Sequence, residues 1–128
     1  MIDRELIDSG ERYALYAIVE NGKCHVKKFI FELSEKNQKK ILSLLQYTIQ
    51  NGPPHNEEKF KKLKTHESLS LFEFKAGQVR VLCAFDGRSI IVLTHGFIKQ
   101  QQKTPRTEID RAARLLQLYN ERFRNEDT

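Results

Sequence analysis

Residues 69–97, LSLFEFKAGQVRVLCAFDGRSIIVLTHGF, decide the fold. Three runs rich in β-branched and aromatic residues, Leu69–Lys75, Gln78–Phe85 and Arg88–Phe97, read as strands. Asp86-Gly87 is a strong two-residue hairpin signal, and Ala76-Gly77 a weaker one. Taking both pairs as the loop residues sets Leu82 against Ile91, Arg80 against Leu93 and Glu73 against Arg80. Side chains alternate along a strand, so each face follows. One face carries Phe72, Phe74, Val79, Val81, Cys83, Phe85, Ile90 and Val92, and two N-terminal helices are expected to cover it. The other carries Leu71, Leu82, Ala84, Ile91 and Leu93, then Glu73, Lys75, Gln78, Arg80 and His95 at one end. Phe97 leaves the sheet at that end. The pattern thus gathers a carboxylate, a guanidinium, an imidazole and ammonium groups into one patch, provided the register does not slip by one residue.

The next stretch, FIKQQQKTPRTEIDRAA (residues 97–113), reads as a strand end, a polar connector and a helix start. Thr104 suits the N-cap and Pro105 the first helical position. Glu108 and Asp110 place acid where the helix dipole favours it. Lys99, Lys103 and Arg106 crowd cations around the same helix N-terminus, an arrangement that makes sense around a bound anion such as phosphate. Ile109, Ala112, Ala113, Leu116, Tyr119 and Phe123 form one apolar face of a helix over 105–123, and 125–128 are expected to fray.

Working backwards, residues 55–68 form a lysine-rich connector, with Phe60 and Leu63 as core anchors. Ser34 is a plausible N-cap for a helix whose stripe is Ile41, Leu42, Leu45, Thr48 and Ile49, ended by Gly52 and Pro53-Pro54. Val26, Phe29, Ile30 and Leu33 fall at helical spacing, so a short helix is expected there. Tyr13–Val19 reads as a strand, Asn21-Gly22 as a turn, and residues 1–11 as a loose polar lead-in. The expected architecture is α+β: about four antiparallel strands, two N-terminal helices on one face and a C-terminal helix.

A chain of 128 residues suits one domain, 1–128, with its own core. Lys plus Arg number 22 against 17 Asp plus Glu, a net +5 that permits a nucleic-acid or other acidic partner. The two cysteines, Cys24 and Cys83, form no disulfide framework, and Cys83 sits in an apolar strand pattern as a buried thiol. The N-terminus lacks the apolar run of a secretory leader, and no run reaches the roughly 20 apolar residues of a membrane span. The cytoplasm is the expected location, with no membrane partner. His25, His55, His66 and His95 show no ligand spacing, so neither metal nor cofactor is expected.

The elements KLK (62–64), LFEF, QVRVL and GFIK…KTP..EI.RA, in that order between Lys62 and Ala113, resemble the phage-derived subfamily of RelE/HigB-like toxins of type II toxin–antitoxin systems. The resemblance implies a RelE-like fold and a metal-independent mRNA interferase that cuts translated messages at the ribosome. Its partner would be a helix-turn-helix, HigA-like antitoxin. Arg80 matches the subfamily's arginine after the hairpin turn, Lys99 the lysine of GFIK and Lys103 that of KTP. Two positions depart from the pattern: Gln100 stands where a second lysine is frequent, and Phe74 and Lys75 where an arginine is.

Metal-free RNA cleavage needs a base for the 2′-OH, cations for the pentavalent phosphate and an acid for the leaving oxygen. Arg80 is a candidate phosphate clamp; the alternative is a cross-strand ion pair with Glu73. Lys99 and Lys103 are candidates to hold the backbone or act as base, against a plain solvated connector. His95 is a candidate acid or base, against a structural histidine, and Phe97 a base-stacking ring, against a core residue. Lys75, Gln101 and Arg106 are placed as RNA contacts at the same end. Lys62 and Lys64, beside Lys59 and Lys61, are candidate contacts to ribosomal RNA phosphates, against a solvated basic face. Two rivals are a ParE-like gyrase inhibitor on the same fold, without nuclease chemistry, and an attenuated relative that serves mainly as an antitoxin-binding partner or co-repressor.

Overall fold

The computed structural model describes residues 1–65 and 68–124. His66 and the terminus expected to fray, 125–128, lie outside the described residues. In chain order the elements are β1 (Ile2–Ser9), β2 (Ala14–Glu20), β3 (Lys23–Cys24), α1 (His25–Phe31), α2 (Glu35–Asn51), β4 (Phe60–Lys62), β5 (Phe72–Ala76), β6 (Val79–Asp86), β7 (Ile90–Ile98) and α3 (Arg106–Phe123).

Among the described residues the sheet has seven strands, in the order β1-β2-β7-β6-β5-β4 with β3 on β2, rather than about four. It is mixed rather than antiparallel, because β2 runs parallel to β7, with Leu15 opposite Ile91. Residues 1–11 are no loose lead-in. Ile2–Ser9 pairs antiparallel with β2 as an edge strand. Such a strand is half solvated, so its polar composition is compatible with pairing. Ser34 caps α2 as expected, its Oγ accepting from Asn37 N at 3.2 Å.

Both loops of the hairpin stretch differ from the simple count. Ala76 pairs with Val79, so the first loop is Gly77-Gln78, with Gly77 at φ +61°. This moves each partner by two residues and leaves the faces intact. Asp86 pairs with Ile90, so the second loop has three residues and inverts the faces of the β7 strand beyond it. A bulge then inverts them back: Cys83 pairs with Leu93 but Leu82 with His95, and Thr94 is the extra residue. Ile91 and Leu93 therefore join the face expected to hold Ile90 and Val92, and Val92 goes to the opposite one.

Two apolar clusters follow. Val26, Ile41, Leu45 and Ile49 from α1 and α2 pack with Leu15, Phe74, Val81, Cys83 and Leu93. Ala112, Leu115, Leu116 and Tyr119 from α3 pack with Ile18, Leu71, Leu82, Val92 and Phe97. Cys83 is fully enclosed, and burial pushes its thiol pKa up. At its far end α3 is clasped to the sheet. Tyr119 Oη donates to Asp86 Oδ2 at 2.6 Å and accepts from Arg4 Nη1 at 2.8 Å.

Candidate active site

The bulge aligns two rows of side chains across the sheet. Glu73, Leu82 and His95 form one, and Lys75, Arg80 and Phe97 the other. Glu73 and Arg80 are diagonal neighbours, with Arg80 Nε 3.9 Å from Glu73 Oε1. The expected patch thus forms, but its members are largely enclosed. Relative exposure is 2% for Glu73, 6% for Arg80 and 0% for His95.

Arg80 is held from two sides. Its Nη1 donates to Gly77 O at 2.6 Å and Val79 O at 3.0 Å, which ties the guanidinium to the β5–β6 turn. Its Nε is buried with no acceptor among the described residues. Desolvation lowers the guanidinium pKa, and the Glu73 carboxylate works against it. A buried charged donor without an acceptor is costly.

Glu73 has a second partner that the sequence did not suggest. Thr104 Oγ1 donates to Glu73 Oε2 at 2.7 Å. Thr104 does not cap α3. Pro105 stands at the cap position, and the cap makes no side-chain hydrogen bond. The connector between β7 and α3 is thereby anchored at Glu73.

His95 sits under the first turn of α3. Its Nε2 is 3.0 Å from Glu108 Oε1, and its ring stacks on Phe97 at 6.1 Å between centroids. Burial is the largest influence and, with the nearby Arg111, overcomes the Glu108 hydrogen bond, bringing the imidazole pKa down to about 4. At neutral pH the ring is uncharged. With Nε2–H donated to Glu108, Nδ1 is left as an acceptor 3.2 Å from the Thr94 hydroxyl, whose one proton is shared between Nδ1 and Leu82 O, also at 3.2 Å. Glu108 was readable only as a helix-dipole acid, and nothing in the sequence marked Thr94 as a bulge. Phe97 is 9% exposed and belongs to the α3 cluster, so it presents no open face to a base.

Half-buried Lys99 and Lys75 and exposed Lys103 surround this enclosed core. Lys99 follows β7, its backbone N–H donating to Gln78 O at 2.7 Å. Desolvation first, then the positive charges of Arg80, Lys75 and Lys61, lower its ammonium pKa, with Glu73 opposing. Lys75 lies opposite Arg80 and donates Nζ to Glu57 O at 3.1 Å. Gln101 and Lys103 are exposed on the connector. Lys62, Lys64 and Arg106 meet elsewhere, with Ser68 and Ser70, around a groove of about 690 Å³, where Arg106 also pairs with Asp110 at 3.0 Å. Among the described residues no cluster of His, Cys, Asp and Glu has the makings of a metal site, and no helix is long and apolar enough to cross a membrane.

A sequence model of the family described as "Phage derived protein Gp49-like" matches residues 28–117. None of the curated proteins matches the chain. Among solved structures, the archaeal RelE-RelB complex from Pyrococcus horikoshii OT3 is similar at 17% identity, over 59% of this chain and 88% of that one, with a TM-score of 0.49.

Proposed function

The chain belongs to the phage-derived Gp49-like family, and from that premise we propose that it is the toxin of a type II toxin–antitoxin pair, a metal-independent endoribonuclease acting on translated mRNA. The observation that carries this reading is the meeting of Arg80, Lys75, Lys61 and Lys99 around Glu73 at one end of the sheet. Cations there favour the pentavalent phosphate over the ground state. In the reaction the 2′-oxygen attacks phosphorus, a base takes its proton, the P–O5′ bond breaks, and an acid protonates the leaving oxygen. Lys99, its ammonium destabilised first by desolvation and then by neighbouring charge, is the proposed base. Lys103 contacts the phosphate and protonates the leaving oxygen. Arg80 supplies the buried positive charge, and Glu73 orients it. The whole chain acts as one toxin domain in the cytoplasm, neutralised by a helix-turn-helix, HigA-like antitoxin and directed to the ribosome through Lys62, Lys64 and Arg106.

A second reading also has an observation behind it. His95 is enclosed and neutral, and Glu73 is committed to Thr104, so neither is open to a substrate proton. General acid–base catalysis, ~10²–10⁴-fold per group, then falls on lysines alone. A ParE-like gyrase inhibitor, or an attenuated antitoxin-binding relative, needs no such groups.

Inducible expression with primer extension across several translated messages separates these readings. Discrete cuts within minutes, lost in Lys99→Ala, support the nuclease. Arg80→Ala is a weaker probe, since it leaves buried Glu73 without its charge partner, and its fold must be checked by circular dichroism. Growth arrest without cuts points to the gyrase type. No arrest from a folded protein points to the attenuated relative.

A further inference from the structure

On the α2 side of the sheet, next to the Lys99 end, lies an open groove of about 1060 Å³. One wall is α2, with Lys39, Lys40, Leu44 and Tyr47. The other is the segment around Lys59 together with Lys75 and the β5–β6 turn. Four lysines thus line a groove whose lining includes one carboxylate, Glu58. Lys39 is shared with Glu35 on the same helix at 3.3 Å, and Lys75 with a backbone carbonyl. Tyr47 is 51% exposed, a large ring left open in a cationic trough.

The groove borders the proposed cleavage site. Lys75 lines it and also stands opposite Arg80, and Gly77, whose carbonyl holds Arg80 Nη1, forms its rim. A cationic trough with an exposed ring is the arrangement that holds single-stranded nucleic acid: point charges follow the phosphates and the ring stacks a base of any identity. The cations lining it are lysines without an arginine fork, which suits a flexible phosphate chain better than the paired carboxylates of an acidic peptide.

We infer that this groove carries a single-stranded run of RNA leading from the Lys99 end of the sheet, with Tyr47 as the stacking platform. The inference rests on RNA as the ligand, not on cleavage.

The test is fluorescence anisotropy with a short, labelled 2′-O-methyl oligouridine, which lacks the 2′-OH and cannot be cut by the proposed route. Tyr47→Ala weakens binding by about tenfold, whereas Tyr47→Phe retains it. Lys40→Glu with Lys59→Glu weakens it further and lowers the slope of log K on log salt by about 1.4. Lys36→Glu, on α2 but outside the groove, behaves as wild type. Thermal melts establish that each variant is folded. Wild-type affinity in the groove variants, with loss in Lys99→Ala, overturns the inference and leaves the RNA reading standing. With labelled polyglutamate as a second probe in the same assay, groove variants that keep strand binding but lose polyglutamate binding overturn the inference and assign the groove to an acidic protein segment. A wild-type protein that binds no strand overturns both. Groove-dependent binding without cuts in cells upholds the inference and removes the nuclease.

Discussion

The hydroxyl of Thr104 donates a 2.7 Å hydrogen bond to Glu73 Oε2, tying the connector after β7 to a carboxylate that is 2% exposed. Glu73 in turn lies 3.9 Å from Arg80 Nε. The connector bearing Lys103 is therefore held by the same carboxylate that faces the buried guanidinium.

Thr104→Val removes the donor while keeping the shape. It is expected to cost about 1–3 kcal/mol, because a buried carboxylate oxygen loses its partner. Thr104→Ser is expected to retain most of the stability. Urea denaturation of the three proteins checks the difference. Equal midpoints for Val and wild type would show that the bond contributes nothing.

His95 makes stability depend on pH. Its folded pKa, about 4, lies below its ordinary value of 6.5. The unfolded chain binds the proton first, so the contribution is whole above pH 6.5 and is lost as pH falls toward 4. The total is on the order of 3 kcal/mol. His95→Gln is expected to flatten the decline in this window. Glu20, held near pKa 2 chiefly by its hydrogen bond from Arg114, acts at lower pH and leaves the window above 4.5 to His95. Denaturation midpoints from pH 7.5 to 4.5 give the comparison.

Gly96 sits on the face covered by α1, where an added Cβ would fall on the ring of Phe29 and 3.1 Å from Arg80 O. Gly96→Ala is expected to cost about 1–3 kcal/mol through overpacking. Combining it with Phe29→Leu should recover part of the loss. A thermal scan in which Gly96→Ala melts with wild type would mean that the helix moves aside freely.

Tyr119→Phe tests the clasp at the far end of α3. The phenol is fully enclosed, donates to Asp86 and accepts from Arg4. Burial, chiefly, raises its pKa to about 12, so it stays a donor at any ordinary pH. Losing it is expected to cost about 1–2 kcal/mol in chemical denaturation while strand binding is unchanged.

Much of this molecule is determined locally. The Ser34 cap, the stop at Gly52 and the apolar stripe of α3 are set by side chains within a few residues of one another, and each is legible in the chain, as are the places of the two turns but not their loop residues. So is the shared face of Glu73, Arg80, His95 and Phe97, although by compensation: the three-residue loop inverted β7 and the bulge at Thr94 restored it. A count along the chain cannot see that, because a bulge is selected by packing on both faces at once.

What only the tertiary structure decided is non-local. Ile2–Ser9 became a strand because β2 offered it an edge, and β2 found β7 in parallel across more than seventy residues of chain. The fate of the polar patch was decided in the same way. The sequence brought Glu73, Arg80 and His95 to one end of the sheet, but the connector and α3 closed over them, leaving Lys99 and Lys103 nearer to solvent. Side-chain chemistry is written residue by residue; burial depends on what the rest of the chain lays on top.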